Sequence, residues 1–211
     1  MSDPAPGEPA DAILLRRHVD GDPDAFGVLF KRHSGRLWAV ALRMTGNPDD
    51  AADVLQDAMI SAFRRAADFR GESAVTTWLH RIVVNASLDL LRRRAAGHIA
   101  SWSGDPDELP VPEPRQVLDS ASGTDTRMDV DAALHILPPP QRAALVLVDM
   151  LGYSVAEAAV ILGISEGTVK SRCARSRAKL LPYLSHLRGD YRQSRNQSVA
   201  DGVSLEQGGG A

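Results

Sequence analysis

Apolar residues recur at three- and four-residue spacing along most of the chain, and no stretch of the front half alternates as a strand would. Phe26, Leu29, Phe30, His33, Leu37, Val40, Ala41 and Met44 form one such stripe, on a helix that Asp22 can cap and Pro23 can open. A shorter helix, Asp11 to Val19, precedes it. Gly46-Asn47-Pro48 ends the long helix and starts another, with Ala51, Val54, Leu55, Ala58, Met59, Ala62 and Phe63 on the apolar face and Asp53, Gln56, Asp57 and Arg64 outside. Phe69-Arg70-Gly71-Glu72 interrupts the pattern as a loop. Ser73 then begins a helix to about Arg94 that turns Trp78, Leu79, Ile82, Val83, Ala86 and Leu90 inward, while Thr77, Arg81 and Asn85 recur at i, i+4, i+8 as a polar stripe.

The periodicity stops at Gly97. From there to Thr126 the chain holds four prolines, three glycines and scattered acids, the composition of an extended linker. Met128 to Leu137 resumes as a helix, the Pro138-Pro139-Pro140 run breaks it, and Gln141 to Leu151 leads to the most informative segment, Tyr153 to Leu180. Ser154 followed by Glu157 is a capping box opening a helix at Val155, with Val155, Ala158, Ala159 and Leu162 on one face. Gly163 suits a left-handed helix end, Ile164 plugs the turn, and Ser165 caps a second helix that buries Val169, Cys173 and Leu180. Small Ala159, Gly163 and Val169 at these offsets meet the steric needs of a helix-turn-helix. The predicted fold is therefore all-α: a helical domain over 11–96, a flexible acidic linker over 97–126, a helix-turn-helix domain over 127–187, and a disordered tail over 188–211.

Charge sharpens this picture because it is segregated. The chain has 211 residues and a net charge of −3, from 24 Lys+Arg against 27 Asp+Glu. Yet Ile60 to Gly97 is net +4, Gly104 to Asp131 net −6, and Ile164 to Arg188 net +5. Two basic modules flank an acidic strap, and the basic second helix of a helix-turn-helix can reach phosphates and base edges together. Duplex DNA is the first expected partner. No apolar run approaches the ~20 residues of a membrane span, so no membrane insertion is expected. Met1 to Asp11 is acidic and proline-rich, unlike a signal peptide, which points to the cytoplasm. Cys173 alone excludes an internal disulfide and falls on a buried stripe, so a small core residue outranks a redox sensor. Six scattered histidines make no metal-ligand repeat, and neither a phosphate loop nor a nucleophile motif is present. No enzyme activity, metal or cofactor is expected.

The segments DAFGVLFKRH, LRMTGNPDDAADVLQDAMISAF, FRGESAVTTWLHRIVVNASLDLLRRR, LPPPQRAALVLVDMLGYS and ILGISEGTVKSRCARSRAKL together resemble extracytoplasmic-function sigma factors, the actinobacterial sigma-M type among them. The likeness covers both domains in order and lapses at the linker and termini. Cys173 departs from it, standing where many relatives carry leucine, as does Ala158-Ala159, where they often have Ile-Ala. The resemblance implies a dissociable subunit of bacterial RNA polymerase that selects promoters, answers stress and is restrained by an anti-sigma factor. In such proteins the helix corresponding to Asp53–Phe63 docks on core polymerase, which implies roles for Asp53, Gln56, Asp57 and Phe63.

Promoter opening requires bases to leave the stack and be held, at about a few kcal/mol per base. The loop and stripe offer Phe69, Arg70, Thr77, Arg81 and Asn85 for the downstream element: Asn85 as a bidentate reader, Arg81 for a phosphate or base, and Phe69 or Trp78 as a stacking face, with core packing favoured for Trp78. Arg92 and Arg93, in the run Arg92-Arg93-Arg94, would grip phosphates. For the upstream element the candidates are Ser165, Thr168, Lys170, Ser171, Arg172 and Arg175. A response-type regulator would need a front domain of alternating strands and helices, and a nucleic-acid-processing enzyme an acid cluster for a metal; neither pattern is present.

Overall fold

The computed structural model describes residues 9–98 and 126–203. Among them the regular elements are α1 (Asp11–Val19), α2 (Ala25–Thr45), α3 (Pro48–Arg64), a 3-10 turn at Ala66–Asp68, α4 (Val75–His98), α5 (Thr126–Leu134), α6 (Pro139–Leu145), which continues as a π-helical turn over Val146–Met150, α7 (Val155–Leu162) and α8 (Glu166–Val203). No strand occurs among the described residues. The predicted linker lies almost entirely outside them, as do residues 204–211.

Local chemistry explains the element ends. Asn47 accepts hydrogen bonds from the Asp49 and Asp50 amides (2.8 and 3.1 Å), with Pro48 at the first helical position. Gly46 closes α2 at φ 75°, a left-handed conformation that only glycine adopts without cost. Asp22 differs from expectation: its carboxylate takes the Asp24 amide at 3.0 Å, and α2 begins only at Ala25, because Pro23 and Asp24 form a turn first.

The long helices α2, α3 and α4 pack on one another, and α1 lies across α2. Asp11 ties α1 down, accepting from Arg32 Nη1 at 2.6 Å and from the buried His33 Nε2 at 2.7 Å. Arg94 forms a bidentate pair with the buried Asp50 and joins the ends of α3 and α4. In α4 the buried set is wider than the expected stripe. Val75, Leu79, Val83 and Leu88 are inside, but so are His80, Val84 and Ser87, whereas Trp78, Ile82, Ala86 and Leu90 are only half-buried. The cause is tertiary: α4 packs against α2 and α3 on one side and against α6 and α7 on the other.

The two halves thus touch, and their buried side chains join one cluster. Arg142 on α6 is the hub of the seam. Its guanidinium is buried and donates to the carbonyls of Leu134 (3.0 Å), Leu137 (3.1 Å) and His135 (3.4 Å) in its own half and to Met44 at the end of α2. Desolvation pushes its pKa down to about 10, still far above neutrality, so the charge stays and the carbonyls must hold it. The His135 ring covers Gly46, where a Cβ would come within 2.6 Å of it. Arg43 pairs with Asp131 at 3.1 Å, and Tyr153 hydrogen-bonds His80 Nδ1 at 2.7 Å.

The backbone of α8 runs as helix to Val203, past the expected domain end at Leu187 and into the segment expected to be a disordered tail. Once a helix is nucleated, polar residues extend it at little cost, and no proline follows Pro182 to stop it.

Candidate nucleic-acid interface

The helix-turn-helix forms as its sequence predicts. Ser154 and Glu157 complete the capping box: the Ser154 hydroxyl accepts from the Glu157 amide (3.2 Å) and Glu157 Oε2 from the Ser154 amide (2.8 Å). These bonds, first the one from the Ser154 side chain, lower the Glu157 pKa. Gly163 ends α7 at φ 67°, and its N–H caps Ala159. Ala158, Ala159 and Ile161 are buried, while Val155 and Leu162 are half-covered. In α8, Val169, Cys173, Ser176 and Leu180 face inward. Burial pushes the Cys173 thiol up, away from the thiolate a redox sensor needs.

That packing decides what α8 shows to solvent. Lys170, Ser171 and Arg175 are exposed, and Arg172 is half-buried, nearer the core than expected for a side chain reaching into a groove. Ser165 Oγ takes the Thr168 amide at 3.1 Å and lies 2.9 Å from Thr168 Oγ1, so these two hydroxyls hold the helix start. Arg175 folds back on Ser171 (Nη2 to Oγ, 3.3 Å). Arg177, part of the basic surplus, is engaged elsewhere: its guanidinium grips Asp149 in a fork at 2.9 and 2.6 Å. The π turn carries Asp149, and its N–H bond from Leu151 to Val146 (3.0 Å) spans five residues rather than four.

In the front half, Arg81 and Asn85 are exposed along α4, and Thr77 is half-buried beneath Tyr153, whose hydroxyl lies 3.5 Å from Thr77 Oγ1. Phe69 and Trp78 meet edge to face at 5.6 Å, both half-buried, which leaves Phe69 only partly available for stacking. Arg70 is exposed in the loop. At the far end, Arg92 pairs with Asp89 (2.6 Å), Arg93 is exposed, and Arg94 is diverted to Asp50.

On α3, Asp53, Gln56 and Asp57 are all exposed, and Phe63 is 50 % exposed, at variance with its expected place on the buried face. Its ring packs instead on His18 and Phe26, with centroids 4.2 and 5.2 Å away. Ile60, 41 % exposed one turn beyond Gln56, adds an apolar side chain to the acidic face that the sequence reading did not single out. No group of three or more His, Cys, Asp or Glu among the described residues could hold a metal, and no helix there is long and apolar enough to cross a membrane.

Comparison with known proteins agrees with this geometry. Residues 29–97 match the family described as Sigma-70 region 2, and residues 127–180 that described as Sigma-70, region 4. The chain is 49% identical over 180 residues to the ECF RNA polymerase sigma factor SigM of Mycobacterium tuberculosis, covering 85% of this chain and 87% of the relative. It is 31% identical over 176 residues to the ECF RNA polymerase sigma-E factor of Escherichia coli, covering 79% and 90%. Among solved structures, CnrH in complex with the cytosolic domain of CnrY aligns at a TM-score of 0.59 and 30% identity, over 84% of this chain and 99% of that one. The sigma factor RpoE of Bartonella quintana, in complex with the anti-sigma factor NepR, aligns at 0.59 and 28%, over 77% and 98%. The chain therefore belongs to the sigma-70 family, and within it to the ECF RNA polymerase sigma factors.

Proposed function

We propose that this chain binds core RNA polymerase in the cytoplasm, directs it to a set of promoters and helps melt them. Supporting this reading most is the presence in one chain of two separate polar surfaces, each on a rigid helix: Arg81 and Asn85 on α4, and Lys170, Ser171 and Arg175 on α8. The α8 surface suits the upstream element as duplex, through phosphate and base-edge contacts. The α4 surface suits an unstacked base of the downstream element, because an amide on a helix offers a donor and an acceptor from one fixed position. Thr77, Phe69 and Arg70 border that base, and Arg92 and Arg93 take the flanking phosphates. The polymerase docks on the α3 strip of Asp53, Gln56, Asp57, Ile60 and Phe63, where a cationic groove with an apolar floor would complement it. We assign the two modules to 11–96 and 127–187, joined by the 97–126 linker; its negative charge repels duplex DNA and suits a cationic channel. Two of the similar solved structures are complexes with a partner chain, one of them of a sigma factor with a protein named an anti-sigma factor, and a restraining partner of that kind is proposed here.

The test is run-off transcription with core polymerase and candidate promoters, with permanganate footprinting of thymines on duplex and pre-melted templates. Asn85→Ala should leave the closed complex intact and lose melting of the duplex promoter. Melting equal to the parent's, with the same base preference on the bubble, would remove Asn85 from the reading.

A further inference from the structure

Arg177 on α8 is held by a carboxylate from another element. Its Nε and Nη2 donate to Asp149 Oδ2 and Oδ1 at 2.9 and 2.6 Å, the two-bond fork that makes guanidinium–carboxylate pairs strong. Asp149 stands on the π turn, where the Leu151 N–H reaches back five residues to the Val146 carbonyl, and it is exposed between the half-buried Val148 and Met150. The helix that leads into this turn, α6, packs along α8. Burial raises the pKa of the Cys173 thiol, with Asp149 adding to the shift and Arg177 opposing it, so both charges lie near that inward-facing side chain.

Two neighbours on α8 are held differently. Lys170 approaches Glu166 at 3.8 Å within the same helix, and Arg175 turns back on Ser171, its Nη2 3.3 Å from the hydroxyl. A phosphate displaces a neutral hydroxyl or a solvated i,i+4 partner more readily than a carboxylate gripped at two points. Water and salt screen the exposed fork, so it adds little to stability. Its larger consequence is for the charge that α8 offers to DNA. Lys170 and Arg177, seven residues apart, lie on one side of α8 and about 10 Å from each other along its axis. A helix-turn-helix reads base edges with the first turns of its second helix. Two turns further on, a freed Arg177 would meet DNA best where α8 runs along the phosphate backbone, a contact that carries no sequence information.

We propose that Asp149 is a specificity-determining residue: by occupying the Arg177 guanidinium it withholds one cation from the phosphate backbone, so that α8 engages DNA through its first turns and sequence-independent binding is weakened. This deepens the α8 reading above and rests on it. Each phosphate neutralised by a cation raises affinity for any duplex alike and steepens the loss of affinity with salt. Specificity is a difference between affinities, so lowering the affinity for wrong sequences improves discrimination without a new base contact.

Variants of the full-length chain assembled with core polymerase test it, on short fluorescein-labelled duplexes that carry the upstream element of a promoter active in run-off assays, or that element scrambled. Asp149→Asn keeps the shape of the side chain and removes its charge. Affinity for the scrambled duplex should rise about three- to tenfold at about 50 mM salt, and the slope of log affinity against log salt should steepen by about 0.9, the share of one phosphate. The intact element should gain less, so the ratio of the two affinities falls. Arg177→Ala should leave both slopes as in the parent, and Asp149→Asn/Arg177→Ala should abolish the gain. An unchanged slope in Asp149→Asn with native circular dichroism would overturn the proposal; Asp149→Ala releases the same guanidinium should asparagine perturb the turn. A shallower slope in Arg177→Ala would overturn it too, because the arginine would already hold a phosphate in the parent. So would a gain that survives in the double variant, which would place the effect in the general field of Asp149. Failure of the α8 reading looks different: Lys170→Ala would then leave affinity and slope unchanged on both duplexes, in the parent and in Asp149→Asn alike.

Discussion

The two helices proposed to meet DNA, α4 and α8, contrast in how they are built. The α8 surface depends on short-range chemistry: a capping hydroxyl, a glycine turn and an inward stripe of Val169, Cys173, Ser176 and Leu180 that leaves Lys170, Ser171 and Arg175 outside. By contrast, α4 serves two cores at once. Four helices cover it, and Thr77, at the head of its polar stripe, lies under a tyrosine contributed from far along the chain. A locally determined surface takes its form within its own helix and turn. One shaped by a long-range contact takes its form only when the two halves pack together.

The largest expected effect concerns Arg142, the group that couples the two environments. Removing its guanidinium would leave buried carbonyls of Leu134, Leu137 and Met44 without a donor, and charge-assisted hydrogen bonds contribute about 1.5–3 kcal/mol each. Arg142→Ala should therefore cost ~3 kcal/mol or more in urea unfolding. By comparison, the exposed Arg177–Asp149 fork should be worth at most ~1 kcal/mol. Equal costs for Arg142→Ala and Arg177→Ala would dissolve the distinction between a buried hub and a surface pair.

Acid should open the contrast next. Burial, then the charges of His33 and Arg36 on α2, lower His80 to about 4 from 6.5, and Tyr153 and Thr77 complete its surroundings. His135, beneath which lies Gly46, is lowered to about 4 by burial and then by Arg142. Both groups bind protons less readily when folded than when exposed. Their contribution is therefore complete above pH 6.5 and is lost as pH falls from 6.5 towards 4. A shift of this size corresponds to up to about 3 kcal/mol per group. Because both rings lie at the seam, separation of the halves, followed by fluorescence energy transfer between labels on α2 and α8, should precede loss of helicity as pH is lowered. Simultaneous loss of both signals would show that the seam has no stability of its own.

On DNA binding rather than stability, a smaller effect than that of the buried hub should fall on Arg172. A bidentate contact to guanine would make Arg172→Ala cost ~1–3 kcal/mol and relax preference at one upstream position. Its half-buried position on α8 favours the lower end. Uniform loss across all sequences in a competition binding assay would demote it to a phosphate contact.

Much of the molecule was legible beforehand because its signals are local. The Asn47-Pro48 start, the left-handed glycines at 46 and 163 and the Ser154–Glu157 box each act within a few residues, and each appears where the sequence puts it. The exposed trio Asp53, Gln56 and Asp57 follows from helical periodicity in the same way. Periodicity erred where a side chain's fate depends on a neighbour from another element. Phe63 sits on the apolar stripe yet remains half in solvent, leaning on His18 and Phe26, and Arg94 leaves its basic run for a buried aspartate.

The sequence by itself determined that the described residues are helical, where most helices begin and end, and which turn sets off the basic helix α8, since backbone capping and amphipathic spacing are encoded within a turn or two. Only the tertiary structure decided that Arg142 would hold carbonyls of both halves, that His135 would cover Gly46 and that Tyr153 would lie over Thr77. Those pairings join residues far apart in the chain, and no local propensity distinguishes a buried arginine or a covered threonine from the exposed ones beside it.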